Sequence, residues 1–179
     1  EGQNPAPDGW YEQFATSNAE SSLYGQYWRC QTFTPQTAHY LNAVSFNLYR
    51  VGSPTFTVTV TLQPAATHIP TGEILASTTF SSSSLSTSAT WCTYSFTTGY
   101  NLQAGTEYSL VLSGDGGDSS NRVGMRYNTT GGYALGLRAY SSDSGGAWTT
   151  SSEDYAFKEG QNPLRTGWFE QYTSSDEVS

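Results

Sequence analysis

An all-β, two-sheet antiparallel β-sandwich is the fold this sequence predicts. Many short runs alternate apolar and polar residues with period two, Gly, Ser and Pro turns separate them, and no window carries a convincing 3.6-residue apolar stripe. Aromatics make up 15% of the 179 residues against one Met, a balance that suits pleated surfaces better than helices. That length is enough for one domain with a real core and too short for two of ordinary size.

The elements follow in order. The opening segment contains Pro5, which lacks a donor and restrains its predecessor, so it reads as a connector. After Gly9, the run Trp10-Tyr11-Glu12-Gln13-Phe14 reads as a short strand, with Trp10, Glu12 and Phe14 on one side and Tyr11 and Gln13 on the other. Val44, Phe46 and Leu48 mark a strand ended by Gly52, Ser53 and Pro54. Phe56, Val58, Val60 and Leu62, interleaved with Thr57, Thr59 and Thr61, mark a half-buried strand with a Thr face turned outward. Further strands are expected at Cys92, Tyr94 and Phe96, at Tyr108, Leu110 and Leu112, and at Val123, Met125 and Tyr127. Leu135 and Leu137, then Tyr155 and Phe157, complete eight or nine strands.

The two ends of the chain repeat each other. Residues 1–21 and 159–179 align without gaps at an offset of 158, and eleven of the 21 positions are identical, including the shared EGQNP and GW-x-EQ. Tyr11/Phe169 and Phe14/Tyr172 exchange one aromatic for another. The simplest account is one 158-residue unit plus the start of the next: connector and junction strand over 1–24, sandwich over 25–158, and the next connector and junction strand over 159–179. The junction residues are then Trp10, Tyr11, Glu12, Gln13 and Phe14, and their counterparts Trp168, Phe169, Glu170, Gln171 and Tyr172. Two readings of this strand stand open: pairing within its own domain, or addition to a neighbouring module, where main-chain bonds give strength and aromatics give register.

Charge narrows the partners. A formal net charge of −8 with seven scattered Lys and Arg argues against nucleic acid, which needs a concentrated basic field. No stretch reaches the roughly 18–20 apolar residues of a membrane span. Charged residues are only 12%, so the 49 Ser and Thr must cover much of the surface, as in secreted proteins that carry glycans. The chain begins at Glu1, as expected of a processed or excised piece.

Cys30 and Cys92 each fall in a predicted strand and, with no CxxC spacing, are expected to form a disulfide in an oxidising compartment. Two small buried thiols are the other reading. Cys30 is out of phase with Phe33, so a bridge would need a bulge or an edge position. His39 and His68 stand in polar turn contexts without a nearby Ser/Asp signature and read as surface histidines. Glu73, Glu107, Glu153 and Asp154 show no sign of facing one another across a cleft, so no enzyme is expected. Asp115 and Asp118 in the loop 114–120 could offer oxygens to Ca²⁺, but they lack the ordered spacing of a calcium loop. A plain hairpin loop is therefore expected, with no metal and no cofactor. Asn128-Thr129-Thr130 is the one N-glycosylation sequon, and Ser81 to Ser84 with Ser86, Thr87 and Ser88 could carry O-glycans or form a solvated loop. Trp148, Tyr133 and Tyr140 lie in or beside Gly-rich loops and are the aromatics to suspect of stacking on sugars.

The ordered series QTFTP, LNAVSFNLYRVGSPTFTVTV, IPTGEILAS, WCTYSF, LQAGTEYSLVLSG, GGDSSNRVGMRY and SSDSGGAWTTSSEDYAF resembles a jelly-roll β-sandwich family over roughly residues 26–157. Its members occur, often in tandem, in large secreted and surface proteins of prokaryotes and in phage fibre-like proteins. The resemblance implies a jelly-roll-like fold and carries no catalytic signature. The connector and junction strand are similar in concept to the modules of microbial extracellular fibrils, an analogy of architecture. The expectation is an extracellular structural module that assembles end to end with identical neighbours through the GW-x-EQ strand; a carbohydrate-binding or adhesive module of a larger secreted protein is the alternative.

Overall fold

A computed structural model describes residues 9–161, which form two antiparallel sheets packed face to face. The strands are β1 (Trp10–Phe14), β2 (Ala19–Leu23), β3 (Trp28–Phe33), β4 (His39–Val51), β5 (Thr57–Ala66), β6 (Ile69–Pro70) and β7 (Ala76–Ser81). After a single 3-10 turn at Ser82–Ser84 come β8 (Thr90–Leu102), β9 (Tyr108–Gly114), β10 (Arg122–Asn128), β11 (Arg138–Ser141), β12 (Thr149–Ser151), β13 (Asp154–Tyr155) and β14 (Phe157–Gly160). No α-helix occurs among the described residues, and no helix there is long and apolar enough to cross a membrane.

The first sheet runs β1-β14-β4-β10-β13, with β8 along the other side of β4 and β2 along β10. The second runs β12-β11-β3-β9-β5-β6, with β7 beside β5. Alternation decides what lies between them. Val44, Phe46 and Leu48 of β4 face Val58, Val60 and Leu62 of β5 and Leu110 and Leu112 of β9, with Phe33, Phe96, Val123, Met125 and Phe157 filling the rest. Each large apolar side chain so buried contributes about 1.5–3 kcal/mol, which lets hydrophobic burial hold the sandwich together. On β5 the Thr side turns away from the core, as expected, although Thr61 is itself covered.

Two expectations about strands are corrected. Leu135 and Leu137 lie in the loop before β11: the Leu137 N–H and carbonyl are both tied to Thr32, and Gly136 lies so close to the Thr32 carbonyl that no side chain fits. The described residues also hold more strands than expected, among them the largely polar β2 and β7, which contribute only Leu23, Ala76 and Phe80 to the core.

The cysteines do not pair. Cys30 and Cys92 are free thiols in different sheets. Cys30 sits opposite Val111 and Ala139, in a small cluster on the outer face of the second sheet, whereas Cys92 sits opposite Phe46 and packs against the main core from the first. One sulfur points out of the sandwich and the other into it, so the expected disulfide cannot form without turning a strand over.

Candidate functional site

The two repeated ends meet in one strand pair. β1, from the first copy, pairs with β14, whose Glu159 and Gly160 open the second copy. In the register Trp10 opposes Gly160, Glu12 opposes Glu159 and Phe14 opposes Phe157, so a bulge falls at Tyr11. That extra residue breaks the expected alternation. Glu12 and Phe14 face inward with Glu159 and Phe157. Trp10 is turned to the outer face, where Lys158 lies over the rings of Trp91 and Trp10, its ammonium nitrogen 4.9 and 6.0 Å from the ring centroids. Gly160 is required by close approach, since a Cβ there would lie 2.4 Å from the Gly9 carbonyl oxygen. That carbonyl accepts a 2.9 Å bond from the Gln161 N–H.

Inside the bulge lies a buried charged cluster. Glu159, fully buried, accepts from the Glu12 N–H at 3.0 Å with one carboxylate oxygen and meets His39 Nε2 at 2.9 Å with the other. Glu12 accepts from the Gln36 N–H at 3.1 Å and from the Tyr133 hydroxyl at 3.0 Å. His39 Nδ1 lies 2.8 Å from the Thr37 carbonyl, and its ring stacks on Tyr11, centroids 3.8 Å apart and planes 3° from parallel. Both imidazole nitrogens therefore face acceptors, and a proton must sit between His39 and Glu159. Burial alone would push the His39 pKa down, but its hydrogen bond to Glu159 and the charge there carry it above the ordinary histidine value. Burial raises Glu159 above the usual carboxylate range, opposed in part by His39. Burial and the Glu12 carboxylate hold the Tyr133 hydroxyl protonated as a donor. All four carboxylate oxygens are occupied, so the cluster is built to fasten two strands.

A second grouping looks more like catalysis. Thr32 Oγ1 lies 3.3 Å from His68 Nδ1, and Glu107 lies 2.5 Å from the same nitrogen. A nucleophile relay needs the hydroxyl on one ring nitrogen and the carboxylate on the other. Here both meet Nδ1, and the Thr32 hydroxyl is already donated to the Leu137 carbonyl at 3.2 Å. The other acids are scattered. Glu73 is exposed, and Glu153 pairs with Arg138, whose guanidinium lies among the rings of Tyr127, Tyr140 and Tyr155. Asp154 is buried and accepts from the Gln31 amide and the Tyr133 N–H, bridging the sheets. Burial raises its pKa, against the pull of those donors.

The remaining sequence-derived candidates are dispersed. His68 is half-exposed, as a surface histidine should be, but His39 is not: its side chain is 2% exposed within the charged cluster. Tyr133 is likewise no surface stacking platform, because it is covered and meets Phe157 edge-on. Tyr140 is half-buried beside Arg138, and Trp148 lies on the outer face of the second sheet with Trp28. Asp118 accepts from the N–H groups of Ser120 and Asn121, and Asp115 from that of Thr57, so both carboxylates shape their loop. Asn128 forms the turn of its own sequon, its side-chain oxygen accepting from the N–H and hydroxyl of Thr130. Ser82 is buried and bonded to both main-chain groups of Phe56, whereas Ser81, Ser83 and Ser84 are exposed. Trp168, Phe169, Glu170, Gln171 and Tyr172 lie outside the described residues.

Sequence reasoning missed His39 and Trp28 as members of sites and gave Tyr133 a sugar-stacking role in place of its bond to Glu12. The duplication itself pointed at Glu12 and Glu159, since both belong to the repeated motif, but nothing in it told that the two copies touch. No protein-family model matches the chain, and no curated protein matches it in sequence.

Proposed function

We infer that this chain is a structural module of an extracellular tandem array, in a fibril or a surface stalk, with no catalytic role. The observation that carries the reading is the β1–β14 pair: residues of one repeat copy are fastened to the first residues of the next by buried charge. Glu1-Gly2-Gln3 are the same residues as Glu159-Gly160-Gln161, and Gly167 begins the same strand motif as Gly9. In a repeating polypeptide each sandwich thus takes its closing residues from the head of the following unit. The covalent tie between successive sandwiches shrinks to residues 162–166, which span at most roughly 17 Å when fully extended.

The saturated carboxylates of the cluster and the single-nitrogen geometry at His68 support the non-catalytic reading. A hydroxyl-rich, charge-poor surface suits the outside of a cell, and Asn128 and the exposed serines of the 81–88 loop are the places for its glycans. Electron microscopy of native material containing this sequence tests the reading. The expected result is regular fibrils whose axial repeat is set by one sandwich; dispersed single sandwiches would overturn it.

A further inference from the structure

On the outer face of the second sheet a groove of about 310 Å³ opens between Trp28 and Trp148. Gln63, Ile69, Thr71 and Gly72 form its other walls, and no charged side chain lines it, in a chain of net charge −8. We propose that this groove binds a neutral oligosaccharide, with a sugar ring lying against the Trp148 indole.

The two indoles are held differently. The Trp28 N–H donates to the Gly25 carbonyl at 3.2 Å, and Gly145 lies against the ring so closely that a Cβ would come within 2.7 Å of it. Trp28 is a fixed wall. Trp148, half-buried on the small cluster of Cys30, Val111 and Ala139, has no partner for its N–H among the described residues. It therefore presents an apolar face and an unused donor side by side, the combination that a sugar ring with its C–H face and hydroxyl rim satisfies. Gln63 is pinned by bonds to Gly72 and Thr61, so it offers a rigid amide at the floor. At the rim, the position of a Gly72 Cβ meets nothing within 4 Å, leaving the mouth open. A fixed cleft that sets indole and Ile69 surface beside placed polar groups is what ligand sites of this size look like. The absence of any lining cation disfavours phosphate or uronate, and the absence of a lining carboxylate disfavours an ammonium ion.

The test is titration of the ¹⁵N-labelled chain with cellohexaose, xylohexaose, laminarihexaose, maltohexaose and chitohexaose, followed through its five tryptophan indole resonances. The expected result is a saturable shift of the Trp148 and Trp28 peaks with at least one neutral sugar, weakened at least about tenfold in Trp148→Ala. Trp148→Phe keeps an aromatic face while losing the N–H and part of the ring, so it should weaken binding by less than Trp148→Ala. If Trp148→Ala fails to fold, Ile69→Asp, at a position more than a third exposed, sets a carboxylate at the rim and should weaken binding in its place. No shift with any of the five sugars overturns the proposal, as do shifts that these variants leave unchanged. Tighter binding of oligothymidylate or of trimethyllysine overturns it in favour of a base or a cation.

Discussion

Two strand pairs of the first sheet are built on opposite principles. β4 and β8 pair along nearly their whole length, and what they present to the interior is apolar: Val44, Phe46 and Leu48 from one, Phe96 from the other. β1 and β14 share a short register broken by a bulge, and what they enclose is two carboxylates, an imidazole and a phenol. The first pair draws its strength from removing hydrocarbon from water, a quantity that adds up residue by residue and ignores pH. The second depends on every buried polar atom finding its partner, so losing one member strands the others. Strength within a sandwich and closure at its boundary are thus separate problems with separate chemistry.

The largest effect is expected in the apolar pair. Phe46→Ala opens a cavity at a fully buried site and should cost about 4 kcal/mol in equilibrium denaturation. A much smaller loss would mean that the core collapses around the gap and that the contrast is overdrawn. Next comes the charged pair. Glu159→Gln leaves the His39 imidazole without its carboxylate and should cost about 3 kcal/mol by the same measurement.

This variant also sharpens the comparison through pH. In the folded chain His39 lies above its ordinary value of 6.5 and Glu159 above 4.5. A group whose folded value is raised gives stability that is complete below the unfolded value and lost as pH climbs through the folded one. The stability of the parent chain should therefore fall as pH rises past the ordinary value of Glu159 and on through the raised value of His39. In Glu159→Gln burial acts on His39 against only the Thr37 carbonyl and the Glu12 charge, and that decline should shrink or reverse. A pH profile parallel to the parent's would show that the pair is not the titrating element.

The smallest effect concerns the thiols. Reductant should leave the melting temperature unchanged, and alkylation followed by mass spectrometry should find two free cysteines. Half-exposed Cys92 should react before Cys30, whose thiol is fully buried and pushed well above its usual pKa by that burial. A melting temperature lowered by reductant would restore the bridge.

The apolar pair was legible in the sequence because alternation is a direct image of burial on a pleated surface. Val44, Phe46 and Leu48 announce both the strand and its inner face. β2 and β7 were illegible for the same reason: the two flanking strands carry polar residues such as Glu20, Ser21, Thr78 and Thr79, so no pattern marks them. The charged pair was half legible. Duplication singled out Glu12 and Glu159, but their contact depends on a bulge at Tyr11 that no residue type requires. His39 entered from the first residue of β4, the strand on the other side of β14 from β1. For the cysteines, the phase of Cys30 against Phe33 already spoke against a bridge, and geometry prevailed over the inference from compartment.

The bond between Gly9 and Gln161 has a mechanical meaning. It sets the points where the backbone comes into the sandwich and leaves it a single hydrogen bond apart, so the sandwich hangs from the thread like a pendant. Under tension, the thread would pull β1 and β14 apart from their shared end, loading their bonds one after another as a zipper does. Were such units strung in tandem, as proposed, each would open from this end first and release a length of slack far greater than the width of its attachment.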